Sequence, residues 1–193
     1  AREAICDRRE ALWKKYYKEK FQPIYLKEVK GYKFVGAHWT NWKNTPGLKE
    51  FMEAHAKELA GQKPFFYFQH PHPKGTCSGE WAWGQDNGEV TEILSRFNNC
   101  IAFSGHSHQI LNDERTIWQG AFVSVGTASL SYTYSFGGRE NTYIDGGPEY
   151  PSQMPSVNQS DGKQGMVMTV YDDGVTLERR DFMYDRPLAD NWV

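Results

Sequence analysis

At 193 residues the chain has the length of one domain, enough to bury a sizeable core. Its 39% hydrophobic and 24% charged residues exclude intrinsic disorder, and a net charge of -2, with Lys and Arg spread along the chain, excludes a polycationic face for nucleic acid. No apolar run reaches the ~20 residues of a membrane-crossing helix, and Cys6, Cys77 and Cys100 have neither metal-type spacing nor the number of a disulfide framework, with one pairing left open.

The segment Ala1–Lys20 opens inside a helical pattern, so the start reads as a cut one and the compartment stays open. Leu12, Trp13, Tyr16 and Tyr17 fall on one face, predicting an amphipathic helix that Gln22-Pro23 ends. Ile24–Val29 and Tyr32–Trp39 predict a hairpin turning at Lys30-Gly31. Thr45-Pro46 reads as a helix start, followed by Leu48, Phe51, Met52, His55 and Leu59 at helical spacing up to Gly61. Phe65–Phe68 is an unbroken apolar run, as in a strand buried on both faces. A helix carrying Val90, Ile93, Leu94 and Phe97 leads to a second such strand, Cys100–Phe103. Strands separated by helices make this an α/β chain with parallel neighbours. Arg115–Trp118 and Ala121–Val125 predict antiparallel strands, and Met166–Tyr171 with Val175–Phe182 a closing hairpin at Asp172-Asp173-Gly174. Between them Gly126–Gly165 is rich in Gly, Ser, Pro and Tyr without periodicity, the mark of a long insertion that could serve as a lid. An aromatic share of 15% suits a packed core beside a partly exposed cleft.

Two histidine motifs follow the two buried strands directly: Gln69-His70-Pro71-His72-Pro73 and Gly105-His106-Ser107-His108. In an open α/β sheet ligands bind beyond the carboxyl ends of the strands, so parallel pairing would bring four of the six histidines to one rim. Imidazole is the commonest nitrogen ligand for transition metals, which makes this clustering point to a metal site. The alternative is a set of hydrogen-bonded loop histidines.

This order of helix, strand ending in His-Pro, helix and strand ending in Gly-His-x-His resembles the second half of the calcineurin-like metallophosphoesterases, over about Tyr17–Phe182. The resemblance implies half of an αββα sandwich, with mixed sheets and flanking helices, filling residues 1–193 as part of a single domain. It implies hydrolysis of a phosphate monoester or diester at two metal ions, Mn, Fe or Zn. His70 matches the family's strand-end metal ligand, and His106 the histidine that usually joins it on one metal. His108 matches the histidine that usually binds the other. His72 has no firm counterpart and is a substrate contact, a supporting group, or the ligand itself if the loop is shifted by two. The family's Asp-x-His, Gly-Asp-x-x-Asp and Gly-Asn-His blocks do not occur here, so no catalytic acid or base is assigned. The resemblance places the start of this chain just after those blocks. The expected partners are therefore a phosphoester substrate and the missing N-terminal half of the same domain, with the present chain inactive alone. A degenerate binding module, or a metal-dependent hydrolase of another bond, is the rival reading.

Other residues carry weaker signals. His38, at a strand end, is a substrate contact or a packed, capping group, with Trp39 and Trp42 as candidate cleft walls. His55 lies on the apolar stripe of its helix and reads as core or boundary. Glu80, Asp86 and Glu89 read as solvent-facing or helix-opening carboxylates. Arg139, in the long insertion, is a candidate phosphate partner or a solvated cation, and Tyr132 and Tyr134 a candidate aromatic wall.

Overall fold

The computed structural model of the chain describes residues 2–39, 45–78, 84–134 and 162–193. Helix α1, Arg2–Tyr17, precedes the hairpin of β1, Ile24–Val29, and β2, Tyr32–Ala37. Helices α2, Leu48–Ala54, and α3, Ala56–Leu59, lead to β3, Phe65–Phe68, and α4, Glu89–Leu94, to β4, Cys100–Ser104. Then come β5, Ile117–Gln119, and β6, Val123–Gly126, and finally β7, Gln164–Val170, β8, Val175–Asp181, and β9, Arg186–Pro187. The first six strands form one sheet in the order β1-β2-β3-β4-β6-β5, and the last three a second sheet. Strands β2, β3, β4 and β6 run parallel, with β1 and β5 antiparallel at the two edges.

The chain is thus a mixed α/β protein whose central strands are apolar because both faces are covered. Alternate residues serve opposite sides. Val35, Phe65, Tyr67, Cys100 and Ala102 pack with Leu48, Met52, Val90, Ile93 and Leu94 of the helices. Phe66, Phe103 and Val125 pack against Leu177, Met166, Met168 and Val175 of the second sheet. Helices, large sheet and small sheet therefore form three successive layers.

Several local expectations need correction. The face of α1 is not buried as its spacing predicts: Leu12, Tyr16 and Tyr17 are exposed, and Trp13 packs on Phe21 and Tyr25. Thr45-Pro46 does not open α2. Gly47 takes the capping position in the left-handed conformation, φ 83°, while the Thr45 hydroxyl is used by the carbonyl of His38. The helix expected up to Gly61 breaks at His55, where φ -97° and ψ 5° interrupt it. His55 sits at the boundary, packed at a tilt against Phe51 with Nδ1 against Glu58. The strand expected from Arg115 begins later, because Glu114–Thr116 form a 3₁₀ turn capped by Asp113. Cys77 and Cys100 are buried free thiols, so neither supplies the pairing left open.

Strand β9 has no periodic signal, and the tail beyond it is held by a buried cation. Arg179, 2% exposed, donates to the carbonyls of Leu111 (3.0 Å) and Asp190, pairs with Glu114 at 2.6 Å and lies over the Trp192 ring. That set of partners ties the C-terminal tail to the loop that follows the second histidine motif.

Candidate functional site

Strands β3 and β4 are in parallel register, Phe65 to Phe68 against Cys100 to Phe103, so the two histidine motifs leave the sheet side by side. The backbone then stitches them together. The carbonyl of His70 accepts from Gly105 N at 3.1 Å and from His106 N at 3.0 Å. The side chains meet above this join, with His106 Nδ1 and His70 Nε2 2.7 Å apart and the rings near perpendicular. Trp39 lies 5.5 Å from the His70 ring and 5.4 Å from that of His106, centre to centre, walling one side of the pair.

His108 adopts a left-handed backbone, φ 56°, a strained conformation for a residue with a side chain. Its Nδ1 lies 3.0 Å from the carbonyl of Tyr132, whose ring packs against it, 4.4 Å away and tilted by 46°. The aromatic wall expected from Tyr132 is therefore present at His108. Partial burial, then the nearness of His108, holds His70 below the ordinary imidazole range. His106 is lowered by burial, then by His70 and His108. Both rings are neutral near pH 7, the state in which imidazole binds a metal.

His72 is 1% exposed, and burial, reinforced by His106, pushes it down to about 4. A ring this enclosed is not offered to a substrate arriving from solvent, which counts against a substrate contact at His72. Its backbone pairs with Gly84 and Asp86, locking the loop from the opposite side. Asp86 overturns the solvent-facing reading. It is 7% exposed and takes Gln69 Nε2 at 2.8 Å, Gly88 N at 2.8 Å and Lys74 N at 3.2 Å. Gln69 also accepts from the Tyr67 hydroxyl at 2.8 Å and donates to Pro71 O at 2.9 Å. This Tyr67–Gln69–Asp86 network escapes sequence reasoning, since only the adjacency of Gln69 to His70 hints at it. Glu89 opens α4. His38 lines the same cavity as His70, edge-on to Phe21. Trp42, Glu80 and Arg139 fall outside the described residues.

No protein-family profile and no curated protein matches the chain. Among solved structures it is similar to a purple acid phosphatase from yellow lupin (Lupinus luteus) seeds, with a TM-score of 0.46 and 14% identity. The match covers 88% of this chain and 32% of that one, so this chain spans about a third of the length of the lupin protein. A likeness this weak bears on neither activity nor substrate.

The donor set fits part of a metal site. Two neutral imidazoles converge and a third stands near them, and the nearby carboxylate of Asp86 is turned into its own network. Among the described residues no group of three or more His, Cys, Asp or Glu side chains is arranged to hold a metal ion.

Proposed function

We propose that this chain supplies the histidine side of a metal-dependent phosphoester hydrolase, with carboxylate ligands contributed by residues outside it. The observation behind this reading is the meeting of His70 and His106, ring nitrogens 2.7 Å apart, at the carboxyl ends of adjacent parallel strands. His70 and His106 would hold one ion and His108 would face a second. When bound, two such cations supply hydroxide near neutral pH and clamp phosphate oxygens. The chain's own part is to fix three imidazoles: the backbone join orients His70 and His106, and Tyr132 orients His108.

A second reading has its own observation. Two nitrogens bound to one tetrahedral ion at ~2.1 Å each would stand ~3.4 Å apart, whereas 2.7 Å is a direct hydrogen bond between the rings. That contact suits a metal-free binding module. Titrating the chain with Zn²⁺ while following its imidazole ¹⁵N resonances separates the two. The metal reading expects His70 and His106 to shift together and saturably, and His106→Ala to abolish the response. Rings that stay unchanged up to millimolar zinc would leave the binding module standing. Phosphate recognition is then tested by the ³¹P signal of orthophosphate, expected to broaden with the Mn²⁺-loaded chain and not with the variant.

A further inference from the structure

A cavity of about 440 Å³ opens along the carboxyl ends of β2, β3 and β4 and reaches His70. That size suits a small ligand, which such sites enclose with apolar walls and a few polar groups. Five rings line it: Trp13, Phe21, Tyr25, Phe68 and Phe103. None of its described lining residues is Asp, Glu, Lys or Arg. The rings brace one another. Phe21 stands edge-on to both Trp13 and His38, and Phe68 stacks on Phe103 at 5.3 Å with 16° between planes. The end of the Tyr25 ring sits against Gly36, where an added Cβ would come within 2.2 Å of it, so a side chain there would displace the ring.

The five rings offer no cation to a phosphate, whose place is at the histidine end of the cavity, where His70 lines it. They favour a flat apolar group, which stacks on the rings without desolvating a charge. We infer that this cavity receives a planar aromatic group of the phosphoester whose phosphate lies at His70 and His106, an assignment to substrate that rests on the function proposed above. A second cavity of about 480 Å³ shares Phe68 and Phe103 but contains none of the site histidines, so it does not join a ring to the phosphate position.

The test needs neither metal nor phosphate. The chain in EDTA is titrated by calorimetry with 2-naphthol and with decahydro-2-naphthol, the same skeleton without a planar ring. The expected result is tighter binding of the planar alcohol, with Phe21→Ala weakening it by about tenfold and circular dichroism confirming that the variant is folded. On the unaltered chain, 2-naphthol should shift the imidazole signals of His38 and His70 and leave His55 alone. Equal affinity for the two alcohols, or shifts confined to the methyl signals of Met166 and Met168, would overturn the inference. Naphthol binding without zinc binding keeps the ring site and overturns its assignment to a phosphoester. Zinc binding without naphthol binding overturns the ring site alone.

Discussion

Replacing Asp86 by alanine removes the acceptor that holds the first histidine loop. Its carboxylate takes Gln69 Nε2 at 2.8 Å, Gly88 N at 2.8 Å and Lys74 N at 3.2 Å, so the change leaves three donors without their acceptor. At about 1 kcal/mol for each partly buried donor, the gross loss is about 3 kcal/mol. Burial raises the pKa of Asp86 above the usual carboxylate range, showing that its charge is held at some cost. Removing that charge offsets part of the loss, leaving about 2 kcal/mol net. Denaturant unfolding should show a lower midpoint at unchanged slope, and thermal unfolding a fall of about 4–8 °C. Asp86→Asn keeps an oxygen for Lys74 and Gly88 but turns an amide toward the amide of Gln69. Gln69 cannot flip to suit it without giving up Tyr67 and Pro71, so about 1 kcal/mol is expected. In both variants the His70 imidazole signal should move, since Gln69 adjoins it. An alanine variant within 0.5 kcal/mol of the parent, or an asparagine variant as costly as alanine, would refute the claim that this network fixes the loop.

The buried His72 gives the metal-free chain a specific acid sensitivity. Its folded pKa of about 4 lies below the ordinary 6.5, so the unfolded chain takes up the proton first as pH falls. Stability from this group is complete above pH 6.5 and is lost between there and pH 4, about 3 kcal/mol in all. Unfolding free energies measured across that range should decline, and His72→Phe should flatten the decline; an unchanged slope in the variant would count against His72 as its source. Gly84 stands at φ 87° with its missing Cβ 2.9 Å from Cδ2 of His106. Gly84→Ala should push the His106 ring from His70 and cost about 1–2 kcal/mol in backbone strain. Imidazole resonances unchanged by that substitution would show that the space beside His106 is not limiting.

The apolar runs Phe65–Phe68 and Cys100–Phe103 announced strands buried on both faces, because burial on both sides removes the alternation of a half-exposed strand. The hairpin at Lys30-Gly31 and the α/β order were legible for the same reason: they rest on local periodicity and turn chemistry. So was the adjacency of the histidine motifs, once parallel pairing of the two strands was assumed. What tertiary structure decided depends on contacts between residues distant in sequence. Asp86 is drawn inward because Gln69, seventeen positions earlier, presents an amide to it. Gly47 rather than Thr45 caps α2, since the Thr45 hydroxyl already has a partner in His38. Arg179 is buried because Leu111, Glu114 and Asp190 converge on it. The aromatic cavity arises where Trp13 and Phe21, from outside the sheet, close over its strand ends. Periodicity reports which face of an element is apolar; it carries no record of which distant polar group will satisfy a side chain there.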